Sequence, residues 1–159
     1  MRIGLQYFAE TNESATTTPK VSMTTELWYA KTEDFGDKKQ IFMVQSIPAI
    51  QTPQEPINYG SLESTTEFQA EGTRKAESIQ IPILYVEAQH NELKAIADSK
   101  DTVYFMVKLP NSTSKTQPKT FKFAGTIDIA LDEISIDGLL QETLTIFKSS
   151  LVTEDTWAE

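Results

Sequence analysis

The chain has 159 residues, of which 39% are apolar and 23% charged, with 23 acidic against 14 basic side chains and a formal net charge of −9. This is enough polypeptide for one core, too apolar to stay disordered, and too acidic as a whole to bind phosphate backbones tightly. With no cysteine, disulfide frameworks, thiolate metal sites and cysteine nucleophiles are excluded.

Residues 1–20, MRIGLQYFAETNESATTTPK, show no sustained periodicity. The apolar patch at their start is too short and too polar for a secretory signal, and the rest is Thr/Ser-rich, so they read as a flexible N-terminal arm. The expected organisation is this arm, a β domain over 21–150, and an acidic C-terminal tail over 151–159. No stretch approaches the roughly 20 apolar residues of a membrane span, so the expectation is a soluble intracellular product with no membrane partner.

Leu27, Trp28 and Tyr29 lie in a first strand, the DFGDKK segment at 34–39 has the Asp/Gly chemistry of a turn, and IFMVQSI at 41–47 returns as the second arm of a hairpin. Pro48, Pro53, Pro56 and Gly60 then punctuate a connection, Pro48 to Thr66, too long for an ordinary turn. A short strand is expected near 67–71, turning at Gly72. Ile79, Ile81, Ile83 and Tyr85 share one face of the next strand, and Pro82, which has no N–H for a ladder, assigns that strand to an edge or a bulge.

The segment EAQHNELKAIADSKD is the one persuasive helix. Gln89, Leu93, Ile96 and Ala97 fall on a single stripe, while Glu92, Lys94 and Asp98 point elsewhere. Val103, Phe105, Val107 and Leu109 then alternate, PNSTSKTQPK reads as an exposed tip, and FKFAGTIDIAL places apolar side chains at odd numbers from Phe121 to Leu131, interrupted by Gly125. The parity breaks at Asp132 and Glu133, which signals a bulge, a corner or a strand end. Asp137-Gly138 is a turn, and ETLTIFKSS runs on with Leu144 and Ile146 on one face and Thr143 and Thr145 on the other. The total is a mainly β fold, a β-sandwich or partly open barrel of about seven strands with one flanking α-helix.

Catalytic chemistry is sparse. His90 is the single histidine, and without a partner it reads as a surface or helix-end residue. The acid pairs, Asp132 with Glu133, Glu154 with Asp155, and Asp34 near Asp37, read as solvated turn acids, since neighbours in a strand point to opposite faces. No phosphate-cradling, dinucleotide, nucleophile-elbow or calcium-loop motif is present. Trp28 and Trp157 read as packing residues. The expectation is no enzyme, with no catalytic residue, no cofactor and no metal.

Two features carry a resemblance. The leader "LQYFAE" is similar to the "LQFFAE"-like start of many structural proteins of phages of Gram-positive bacteria. The order of strands, long loop, strand, helix "EAQHNELKAIADSKDTVYFMVKLP", hairpin and a closing "SIDGLLQETLTIF" resembles the major tail (tail tube) proteins of long-tailed phages, over 23–147. The resemblance implies a structural virion protein that self-assembles into stacked homo-hexameric rings, forming a tube through which DNA passes without tight binding. It also implies tape measure and terminator proteins as partners, a place in the virion tail, and assembly in the host cytoplasm.

On that reading the long loop, with Pro48, Pro53, Pro56, Tyr59 and Gly60, contacts a neighbouring subunit or ring, and the terminal arms lie across ring-to-ring contacts. Thr126 and Asp128 face the lumen or a neighbour, or alternatively outside solvent, while Phe121, Phe123, Ile127, Ile129 and Leu131 face the core. The competing readings are a head–tail joining or tail-terminator ring protein and, from another class, a monomeric β-sandwich binding module.

Overall fold

Alternation of apolar and polar side chains builds most of this molecule. The computed structural model describes residues 24–110 and 117–157; the expected N-terminal arm and the tip at 111–116 lie outside them. Among the described residues, nine strands and one helix follow in the order β1 (Glu26–Ala30), β2 (Lys39–Ile41), β3 (Pro56–Tyr59), β4 (Phe68–Glu71), β5 (Ile79–Leu84), α1 (Glu87–Ser99), β6 (Val103–Lys108), β7 (Lys119–Leu131), β8 (Gln141–Lys148) and β9 (Thr153–Thr156).

All pairings are antiparallel. The main sheet has the order β2-β1-β6-β7-β8-β5, with β9 also on β7, while β3 and β4 form a separate hairpin. The sheet curls into a half-barrel, so of the two architectures the sequence admits, the partly open barrel is the one formed. Right-handed twist accumulating over six strands supplies the curl.

One face of the sheet holds the core. Leu27 and Tyr29, Ile41, Ile79, Ile81 and Ile83, Val103, Phe105 and Val107, Phe123, Ile127 and Ile129, and Leu144 and Ile146 meet Leu93 and Ile96 of α1. Each strand contributes every second residue, as its pattern requires. Phe121 packs half-buried at the margin of this core. Leu131, expected inside, is 48% exposed, because β7 outruns the helix that covers the sheet and ends at the turn-bearing segment that follows. The break in parity at Asp132 is the end of β7: its N–H closes the ladder on the carbonyl of Gln141 at 2.9 Å, and the chain turns over Ile136-Asp137.

The second arm of the first hairpin is shorter than the run IFMVQSI suggests. β2 stops at Ile41, and Met43 takes a left-handed φ of 61°. The kinked chain then crosses to the far end of the sheet: Gln45 N–H donates to the Pro82 carbonyl at 2.9 Å, Leu84 N–H donates to the Met43 carbonyl at 3.0 Å, and Val44 bridges Ile83. Residues 43–45 thus tie the first strand region to the last. Pro82 stands on the outer edge of β5, where only this short tie crosses, as a residue without an N–H must.

The reverse face carries a smaller cluster. Ala30, Phe35 and Met106 are buried there, with Trp28, Tyr104 and Trp157 packed against them. Trp157 reaches it because the acidic C-terminal segment joins the sheet as β9, along β7 from Lys119 to Lys122. The sequence pattern hides this strand, since none of its four residues is apolar or buried.

Candidate assembly surfaces

The long connection between β2 and β5 has an anchored part and a projecting part. Ile47 and Ile50 pack on the core margin, and the Lys148 ammonium donates to the Ile50 carbonyl at 2.7 Å. Burial holds that ammonium below the ordinary lysine value, with Glu77 opposing the shift. Pro48 lies on the wall of a groove of about 710 Å³, with Val44, Ile47 and Ile50 beside it and Val107, Leu109 and Phe121 below.

From Pro56 onward the connection is a hairpin, where the sequence suggests an irregular loop. Pro56 and Tyr59 are the ends of β3, and Gly60 opens the turn; Pro53 precedes the hairpin and is exposed. Ile57 pairs with Ala70 and Tyr59 with Phe68, whose rings lie 5.9 Å apart. The density of Pro and Gly masks this alternation in the sequence. Gly72 closes the base, donating its N–H to the Glu55 carbonyl at 2.9 Å, and a Cβ at Gly72 would stand 2.2 Å from that oxygen.

Every residue of β3 and β4 is exposed, including Ile57, Tyr59 and Phe68, and Leu62 at the tip is fully open. A two-stranded hairpin is marginal by itself in water. This one displays large apolar side chains that the rest of its own chain leaves uncovered.

Thr126 and Asp128 lie on the sheet face opposite α1, alternating with buried Ile127 and Ile129. Their cross-strand partners are Phe147 and Thr145. Thr126, Asp128, Ala130, Thr143, Thr145 and Phe147 therefore share one threonine-rich surface, with Asp132 at its end, hydrogen-bonded to Thr143, and with Lys122 further along the same face of β7. Asp128 accepts a hydrogen bond from the N–H of Ile129 at 3.0 Å. The Ile129 N–H is on the side of β7 away from β8, where β6 has already ended, since its pairing with β7 begins at Gly125. The Asp128 carboxylate thus partly caps an open strand margin.

Polar side chains on α1 tie it to the sheet, Glu92 accepting from the Tyr29 hydroxyl at 3.1 Å and the Lys39 ammonium at 3.3 Å. The Gln89 side chain accepts from the N–H of Phe42 at 2.8 Å and donates to its carbonyl at 3.1 Å, imitating a strand partner just before the kink at Met43. His90 stands in the first turn of α1, the helix-end place the sequence allows, but its side chain is turned inward and not onto the surface. Its Nδ1 lies 2.6 Å from the carboxylate of Glu142, which is completely buried, and its ring is 5.1 Å from that of Tyr85. A signal was available in the parity of Glu142, shared with the core residues Leu144 and Ile146. The other carboxylate oxygen of Glu142 and the hydroxyl of Thr120 are the buried side-chain oxygens without a partner among the described residues.

The remaining acids behave as local structure. Asp132 accepts from the Thr143 hydroxyl at 2.7 Å; Asp37 accepts from the Thr32 hydroxyl at 2.9 Å, which holds its carboxyl below the ordinary aspartate value. Among the described residues no group of three metal-ligating side chains converges, and no helix is long and apolar enough to cross a membrane.

A half-barrel with α1 packed on its core face and a separate exposed hairpin defines a class, the tail-tube-like fold. In particular, the chain is similar to a chain of an extracellular contractile injection system, the PVC sheath-tube complex in its extended state, with 12% identity, 92% of this chain and 98% of that one covered, and a TM-score of 0.70. It is similar to a chain of the PVC sheath/tube terminator, at 12% identity over 87% and 98% with a TM-score of 0.66. A chain of the anti-feeding prophage tube-terminating cap gives 12% identity over 88% and 93%, with a TM-score of 0.65. No protein-family model matches the chain, and no curated protein sequence matches it. At identities this low the likeness shows a shared fold alone.

Proposed function

We propose that the chain is a structural, non-enzymatic tube subunit that self-assembles into stacked hexameric rings. The observation that carries this reading is the uncovered β3–β4 hairpin on a fold shared with tube components. An apolar arm that one copy leaves bare is stabilised when a neighbour covers it. The particular assembly we propose is the tail of a long-tailed phage of Gram-positive bacteria, with this chain as its major tail protein. The leader LQYFAE favours it. On that reading the partners are further copies, a tape measure and a terminator, and the particle is a virion assembled in the host cytoplasm.

The face bearing Thr126 and Asp128 is assigned to the bore. A conduit for DNA must avoid basic contacts, each of which releases counterions from DNA and adds affinity; the stretch of this face made by residues 126–130 and 143–147 has no basic residue at its outward positions, and Lys122, further along β7, is paired with Asp155 at 2.8 Å. Electron microscopy of concentrated protein tests the proposal: tubes about 100 Å wide are expected, from six small domains around a duplex-sized bore. Single chains persisting at millimolar concentration in the ultracentrifuge would overturn it.

The second reading, a tail terminator, is favoured by the similarity to a terminator and a cap at TM-scores of 0.66 and 0.65. It predicts isolated rings where the first predicts long tubes.

A further inference from the structure

β8 and β9 lie along the same side of β7, and the ladder breaks between them. From the pair Gly125–Lys148 to the pair Lys122–Thr153, β7 advances three residues while the other strand advances five. The two surplus residues fall within 149–152: the Ser149 N–H still donates to the Ala124 carbonyl at 2.8 Å and the Ser150 hydroxyl accepts from the Ala124 N–H at 2.9 Å, after which Leu151 is exposed and Val152 packs at the core margin.

Beyond this break nothing of β9 is buried. Its side chains tie to β7 through surface pairs, Lys119 with Glu154 at 3.5 Å and Lys122 with Asp155 at 2.8 Å. The anchor is Trp157, whose N–H donates to the Pro118 carbonyl at 2.9 Å. Its ring stands 5.2 Å from that of Trp28, with the ammonium groups of Lys108 and Lys38 at 4.2 and 4.4 Å. If β9 lifts, it uncovers a strand margin bordered by Lys108, Lys119 and Lys122, for which the complement is an acidic strand ending in an aromatic ring.

We propose that β9 with Trp157 is an exchangeable strap, which leaves β7 of its own chain when copies associate and takes the same place on β7 of a second copy. The inference rests on the self-assembly reading above. A second copy carries the identical Thr-Glu-Asp-Thr-Trp sequence and so reproduces every contact, while the irregular segment at 149–152 serves as the hinge. Exchange of an identical element is a low-cost route to association, because the interface already exists in the closed chain.

The natural absence of cysteine makes a clean test. Lys119 and Thr156 face each other across β7 and β9. The Trp157 to Pro118 bond puts the next pair, Lys119–Thr156, in the non-hydrogen-bonded position, where Cα atoms are about 4.5 Å apart and a disulfide closes. The double variant Lys119→Cys, Thr156→Cys is assembled under reducing conditions, oxidised, denatured and run on a non-reducing gel. A ladder of covalently joined copies, absent from both single variants, is expected. Assembled particles that yield only internally crosslinked single chains, or a ladder equally strong in a single variant, would overturn the proposal.

Oxidising the dilute double variant first locks the strap in place. Its association should then fall at least tenfold and return with reductant; association unchanged by the lock would also overturn exchange. Microscopy of the wild-type chain reports separately on the tube. Tubes without the ladder defeat the strap alone, and a ladder from small oligomers defeats the tube alone. If neither appears, both fail.

Discussion

At Glu142 a carboxylate is completely buried, and its partner is the imidazole of His90 on α1. Removing one side of a buried pair leaves the other stranded, at a cost of about 3–5 kcal/mol, whereas replacing both with apolar groups is often neutral. His90→Leu should therefore lower the unfolding free energy by about that amount, and His90→Leu with Glu142→Leu should recover most of it, read by urea denaturation. Failure of the double variant to recover would make the pair a specific requirement of the fold. Tyr29 gives a pH dependence: burial, with Glu92 beside the hydroxyl, pushes its phenol up from 10.0 to about 12. A group raised on folding contributes stability that is complete below its unfolded value and lost as pH climbs through the folded one. Stability attributable to Tyr29 should hold to pH 10 and fall toward pH 12, and Tyr29→Phe should remove that slope in denaturant titrations. The sequence makes Tyr29 legible as a core residue by its place beside Leu27. It gives no sign of Glu92, which lies 63 positions away.

Strands and their junctions carry the next set of effects. Gly125 sits where β7 has β6 on one side and the end of β8 on the other; a Cβ there would stand 2.4 Å from the carbonyl oxygen of Phe147. Gly125→Ala must push β8 away from β7, and a loss of about 1–3 kcal/mol is expected from overpacking, measured by thermal or urea unfolding. The interruption of alternation at that residue is visible in the sequence, but its cause, a second strand's backbone passing close by, is not. The hairpin behaves in the opposite way. Replacing Ile57, Tyr59 and Phe68 with Ser changes only exposed side chains, so the unfolding free energy of the single chain should move by no more than about 0.5 kcal/mol per site. Ring or tube formation should be lost. Assembly undiminished in that variant would remove the hairpin from the contact.

For the whole molecule, the charge of −9 matters most where it lines a path. Asp128 is the single charged residue among Thr126, Asp128, Ala130, Thr143, Thr145 and Phe147. Asp128→Lys reverses its sign without touching the core, so particles should still assemble while DNA passage slows, measured as ejection kinetics. Normal kinetics in that variant would argue that the face looks outward. The curl of the sheet and the tie made by residues 43–45 leave the upper margin of β7 open while closing the margin of β5 at one point. A subunit with an open strand margin and a projecting arm at different places favours heterologous, head-to-tail contact, which closes into a ring when the rotation permits.

The amino-acid sequence by itself determined the mainly β character, the helix α1 with its stripe, the thirteen-residue strand β7 and the edge position of Pro82. Each follows from short-range periodicity or from a missing N–H, and both are properties of consecutive residues. Tertiary structure decided the half-barrel over the sandwich, the partner of His90, the β3–β4 ladder and the incorporation of the acidic C-terminal segment as β9. Those depend on which distant backbone a segment meets: a strand such as Thr153–Thr156 has no apolar period of its own and becomes a strand because β7 offers it an edge.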